Sequence, residues 1–216
     1  MSTTRRTFLK LAGTLATTGV GTTIHAGPSQ DWAKPENVDA SNKKLRILFL
    51  GGTRFLGPHQ VEYALARGHE VTLFNRGKTN PHLFPQVEKL RGDRNDDLEA
   101  LKGRTWDAVI DNSAHIPRWI TDAGAILKDK VAQYLFISST GVYDPYLTVD
   151  ITEDGVLATL EDPTVEEVNG ETFGGLKVLC EKEAEKWFPG RTAVIRPHLI
   201  VGPGDNTDRF TYWPVR

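Results

Sequence analysis

Cysteine is nearly absent from the 216-residue chain. Cys180 stands alone, which excludes an intrachain disulfide and any thiolate zinc cluster. An excess of one charge is missing too: 26 Lys and Arg stand against 28 Asp and Glu, a formal net charge of -2. That balance offers no sequence-wide basic field for nucleic acid or anionic lipid. No stretch reaches the ~18 apolar residues of a spanning helix, so no stable membrane insertion of the mature protein is expected. No internal repeat at a solenoid period is found. What is present is ordinary globular composition, 39% hydrophobic and 25% charged, at a length suited to one domain with room for a small addition.

The first residues pair Arg5-Arg6 with Phe8-Leu9-Lys10, followed by a weakly apolar run, Leu11 to Ile24, and then His25-Ala26-Gly27-Pro28. A charged start, a mildly hydrophobic stretch and a small residue before a turn describe an export signal. The adjacent arginines resemble the twin-arginine type, which implies the twin-arginine export machinery as a partner and a periplasmic or otherwise exported location. Cleavage is expected after Ala26, with 27–44 a polar linker and 45–216 the folded domain. The alternative is an amphipathic or disordered basic tail.

From Leu45 the pattern changes. LRILFL (Leu45 to Leu50) is a continuous apolar run of strand length, as for a strand buried on both faces. Gly51-Gly52-Thr53-Arg54-Phe55-Leu56-Gly57 follows, then a predicted helix from Pro58 to Arg67 stopped by Gly68, and a second strand from Val71 to Phe74. Strand, glycine turn, helix and strand form the βαβ unit whose helix N-terminus receives a pyrophosphate. Further strands are predicted near Val87 to Leu90 and at Trp106 to Asp111, Tyr134 to Ile137 and Ala193 to Ile195. Helices are predicted at Asp96 to Leu101, Pro117 to Leu127 and Leu176 to Phe188. The fold class is therefore α/β, a Rossmann-type doubly wound parallel sheet of about six strands in the order 3-2-1-4-5-6.

Four more segments stand in matching order: Leu90-Arg91-Gly92-Asp93, FISSTGVY (Phe136 to Tyr143), Phe173-Gly174-Gly175-Leu176-Lys177, and RPHLIVGPG (Arg196 to Gly204). With the glycine turn they resemble the extended short-chain dehydrogenase/reductases, the NAD-dependent epimerase/dehydratase family, in an atypical form. The resemblance implies that Gly51, Thr53, Arg54, Phe55, Leu56 and Gly57 cradle the pyrophosphate, with Arg54 where the family usually has glycine. It also implies that Asp93 meets the adenine, unless it merely caps the following loop, and that Ser113 and Ala114 line the cofactor. Eighteen residues after Gly57 sits Asn75, followed by Arg76. No carboxylate is there to repel a 2′-phosphate, and Arg76 can pair with one, so NADP is preferred over NAD. The alternative is that Arg76 is a solvated turn residue.

The family works with a Ser or Thr, a Tyr and a Lys. The resemblance assigns Ser139 and Lys177 to two of these positions, and Lys177 also to the nicotinamide ribose. The tyrosine position holds Phe173, whose phenyl ring neither takes nor gives a proton. Tyr143, His115 and His198 are nearby without a spacing that selects them. No metal site is expected.

Between Pro145 and Leu176 lie eight acidic residues and no Lys or Arg, which opposes RNA binding even though atypical relatives include RNA-binding proteins. The resemblance implies a chain continuing beyond Arg216 into a substrate domain, with Arg209, Trp213 and Arg216 at the start of its pocket. The expected function is an NADP(H)-binding epimerase/dehydratase-like protein acting on a small-molecule sugar or nucleotide-sugar-like substrate with tightly held cofactor. The alternative is a catalytically silent dinucleotide-binding module.

Overall fold

A computed structural model describes residues 43–146, 148–205 and 207. The expected export signal, the linker up to residue 42, and Arg209, Trp213 and Arg216 lie outside the described residues.

The elements run β1 (Arg46–Leu50), α1 (Leu56–Ala66), β2 (Glu70–Asn75), β3 (Glu88–Arg91), β4 (Trp106–Asp111), α2 (Pro117–Leu127), β5 (Val131–Ile137), α3 (Phe173–Trp187) and β6 (Thr192–Ile195). All strand pairs are parallel, and the sheet order is β3-β2-β1-β4-β5-β6, as the sequence predicts.

The alternation of side chains along β1 explains its unbroken apolar run. Ile47 and Phe49 face α1 and pack with Val61, Ala64, Val71 and Leu73. Leu48 and Leu50 face the other way, into a larger core with Ile120 and Leu127 of α2, Cys180 and Ala184 of α3, and Phe188 just past its end. Both faces of the central strand are thus removed from water, which only a continuous hydrophobic stretch permits. Helix α1 ends where Gly68, at φ 78, takes the left-handed conformation that suits glycine.

The predicted helix at Asp96 to Leu101 is instead a single 3-10 turn, Glu99–Leu101. Asp93 and Asp97 exchange two backbone hydrogen bonds, and Asp96 sits at φ 71, so the backbone is spent on a tight turn before a helix can nucleate. Helix α3 starts at Phe173, one turn earlier than its apolar spacing indicates, and this brings Phe173 and Lys177 onto one helix.

Candidate functional site

The carboxyl ends of β1, β2 and β4 come together beside the N-terminus of α1, on the sheet edge where open parallel sheets receive ligands. Gly51 and Gly52 leave β1 at φ 108 and 96, conformations that side chains resist. A Cβ at Gly57 would fall 2.4 Å from the Cα of Gly52, so only glycine lets the helix start lie against the turn. Thr53 is buried, Phe55 and Leu56 are half-buried, and Arg54 projects outward. The guanidinium of Arg54 has no hydrogen-bond or ion-pair partner among the described residues.

Asn75 closes β2 and accepts a hydrogen bond from the Gly77 amide at its Oδ1, 2.8 Å, while Arg76 is exposed beside it. Asp93 is half-buried, and its Oδ1 accepts from the Asn95 amide, 3.0 Å. That contact matches the loop-capping alternative.

Ser139 caps the short turn Thr140–Val142 by accepting from the Gly141 amide at 3.1 Å. Its hydroxyl hydrogen is left available to a ligand. A Cβ at Gly141 would lie 3.3 Å from the ring of Phe173 and 3.4 Å from Ser139 Oγ, so those two side chains flank one spot. Lys177, one turn along α3, is buried. Its ammonium donates to the carbonyls of Ala114 and Ile137, both 2.8 Å, and lies 4.4 Å from the centroid of the Phe136 ring. Two of three N–H donors are thereby committed, leaving one. Burial lowers its pKa from the ordinary lysine value, against the opposing pull of Cys180, Asp111 and Glu181.

Ala114 departs from the sequence expectation. It is fully buried, its amide donates to Asp111 and its carbonyl accepts from Lys177, so it supports the floor of the site instead of facing a ligand. Ser113 is half-buried beside it and stays at the sheet edge.

The sequence reading missed what holds this floor. Arg94 and Asp111 form a buried pair at 2.9 Å, and Arg94 also donates to the Trp119 carbonyl. Asp111 accepts further bonds from the Tyr134 hydroxyl at 2.6 Å and from the amides of Ser113 and Ala114. Burial alone would raise the Asp111 carboxyl, yet the Arg94 charge and these donors hold it below the ordinary value. A second network links Ser138 to Glu181 and Glu181 to Arg196, whose guanidinium also donates to the Tyr143 hydroxyl at 2.8 Å. Tyr143 is therefore engaged elsewhere and does not stand in for the missing tyrosine. The signal available in sequence was the charged Asp111 closing the apolar strand WDAVI; nothing local marks Arg94, which stands in the charged run EKLRGDR.

His115 is the other residue underrated by sequence. Its ring lies 6.4 Å from that of Phe173 and 6.3 Å from that of Trp119, centroid to centroid. Burial, then the charge of Lys177, lowers its pKa to about 4, with smaller contributions from Asp111, which opposes, and from Arg54 and Arg94. The unfolded chain, where histidine titrates near 6.5, binds more protons than the fold between those values. Stability is therefore full above about pH 6.5 and falls as the pH drops toward 4, by roughly 3 kcal/mol from this group. Urea midpoints at pH 7 and pH 4.5 should diverge more in the native protein than in His115→Gln; equal divergence would contradict this.

A profile of the "NAD dependent epimerase/dehydratase family" matches residues 47–212. The chain belongs to that family. Among curated relatives, the chloroplast stem-loop binding protein of 41 kDa b of Arabidopsis thaliana is 34% identical over 49% of this chain and 32% of its own. The epimerase family protein SDR39U1 of Bos taurus is 29% identical over 80% of this chain and 60% of its own. The chain thus spans less than two thirds of the length of these relatives. Among solved structures, the enzyme WbmG of Bordetella bronchiseptica, in complex with NAD and UDP, shares the fold at a TM-score of 0.56 and 17% identity, over 74% of this chain and 57% of its own.

The residues of this epimerase/dehydratase family member fit a nicotinamide dinucleotide. The close Gly52–Gly57 contact forms a side-chain-free cradle at the helix start, and Arg54 brings an unpaired cation to its rim. Ser139 and the remaining donor of Lys177 lie at the carboxyl end of β5, on the far side of the same edge.

Proposed function

We propose that the protein binds NADP(H) and acts as an epimerase or dehydratase on a nucleotide-linked or related sugar, with the dinucleotide retained from one turnover to the next. The observation that carries this is the juxtaposition of a glycine cradle bearing an unpaired Arg54 with Ser139 and Lys177 at one sheet edge. The dinucleotide supplies hydride acceptance and return. The chain supplies the rest. Gly51 to Gly57 receive the pyrophosphate, Arg54 pairs with it, and Asn75 and Arg76 hold the adenosine ribose and its 2′-phosphate. Lys177 gives its third N–H to the nicotinamide ribose, and Ser139 orients a substrate hydroxyl. UDP bound alongside NAD in WbmG supports a nucleotide-linked substrate.

The twin-arginine-like start adds a constraint. A folded protein exported with its cofactor finds no pool of free pyridine nucleotide outside the cytoplasm, so net consumption of NADPH would stop after one cycle. Reactions that return the hydride within each turnover avoid this. With UDP-galactose and UDP-glucose as probes, product should exceed cofactor with no net change in reduced nicotinamide absorbance. Stoichiometric NADPH consumption with readily exchanged cofactor would contradict it.

A second reading rests on Phe173. With no phenol on α3, the protein is a dinucleotide-binding module without turnover. Product formed by the unaltered protein from the same probes would exclude that reading.

A further inference from the structure

We propose that Arg91, packed on Gly77, completes a phosphomonoester site with Arg76 and is the residue that selects the 2′-phosphate of NADP; this rests on the dinucleotide reading above. The parallel register sets Arg91, the last residue of β3, opposite Asn75, the last of β2. The chain then turns through Arg76 and Gly77. Gly77 has φ 69, and a Cβ built on it would lie 3.1 Å from Arg91 Nε and 3.3 Å from Cζ. The left-handed backbone favours glycine at this position, and the Arg91 guanidinium lies against it. The arginine that follows Asn75 in the chain and the one that faces it across the sheet come to one turn.

The turn is built before any ligand arrives. Asn75 Oδ1 accepts from the Gly77 amide, and Asn80 Nδ2 donates to the Thr53 carbonyl at 3.0 Å, tying the far end of the turn to the glycine cradle. With one lone pair of the Asn75 oxygen taken by the Gly77 amide, the side-chain groups offered to a ligand are mainly donors: the Asn75 amide nitrogen, Arg76 and Arg91. Two other arginines of the domain pair with carboxylates, Arg104 with Glu88 of β3 and Arg46 of β1 with Asp107. Arg76 and Arg91 are exposed and have no ion-pair or hydrogen-bond partner among the described residues. The nearby carboxylate of Asp93 is turned to the Asn95 amide. Unpaired guanidinium forks around a carboxylate-free turn match a phosphate dianion and give NAD, with two ribose hydroxyls there, nothing to gain.

Calorimetric titration of the full-length protein with NADP, NAD and 2′,5′-ADP tests this. Arg91→Met should weaken NADP and 2′,5′-ADP by about tenfold or more and leave NAD within about twofold, because each charge-assisted pair to phosphate is worth at least that factor. Arg91→Lys, which keeps the charge and loses the fork, should fall between. Since Arg91 is exposed, these variants should fold, and an unchanged melting temperature confirms it. Arg91→Met that binds NADP like the native protein overturns the assignment while leaving the dinucleotide reading intact. Native protein that prefers NAD overturns the 2′-phosphate site, and native protein that binds none of the three overturns the dinucleotide reading as well.

Discussion

Phe173→Tyr should raise turnover by about a hundredfold or more, since a positioned general acid-base group typically contributes 10²–10⁴. The ring at this position already flanks Gly141 alongside Ser139, and the ammonium of Lys177 lies one turn along the same helix. A phenol there would have a neighbouring cation to lower its pKa and a serine hydroxyl across the gap. No other described side chain fills that place: Tyr143 is bonded to Arg196, and His115 is lowered to about 4 by burial and Lys177, a weak base at neutral pH. Initial rates with a panel of UDP-hexoses, together with dinucleotide affinity, separate chemistry from binding. The expected result is a large rate increase at unchanged affinity. Equal rates for the two proteins would show that proton transfer does not depend on this position.

Asp111→Ala should cost about 3–5 kcal/mol of folding stability, the usual penalty for breaking a buried pair from one side. The loss leaves Arg94 buried with its charge unmatched and strips an acceptor from the Tyr134 hydroxyl and the amides of Ser113 and Ala114. Because Ala114 also receives Lys177, the damage extends to the floor of the site, and dinucleotide affinity should fall with stability. Replacing both partners with apolar side chains, Arg94→Met with Asp111→Leu, should recover much of the stability, since the desolvation of two charges disappears with the pair. Urea unfolding of the single and double variants measures both effects. A single variant within about 1 kcal/mol of the native protein would mean that the pair is not what holds this loop.

The sheet was legible because most strands announce themselves by hydrophobicity, the charged edge strand β3 being the exception, and the glycine turn by its place between β1 and α1. The 3-2-1-4-5-6 order followed from repeated βα units and is the order observed. The glycine cradle was legible for the same local reason. Ser139, Lys177 and Phe173 came from the family resemblance, but the network beneath them was not legible, because it depends on partners distant in sequence. Arg94 reaches Asp111 and Lys177 reaches the carbonyls of Ala114 and Ile137, contacts that no periodicity encodes. Ala114 looked ligand-facing from its position after β4, yet it is fully buried with both backbone groups bonded within the protein. The failed helix at Asp96 to Leu101 has a local cause that composition conceals, since Asp93 and Asp97 pair through their backbones.

The central claim is that the glycine cradle, with Arg54 at its rim, holds one nicotinamide dinucleotide. The most direct measurement is the stoichiometry of dinucleotide per chain, taken as nucleotide released on denaturing the purified protein and identified by mass spectrometry, with calorimetric titration of any empty fraction. Near one NADP per chain, carried or taken up, is the predicted result. A protein that carries none and binds neither NADP nor NAD would contradict the account.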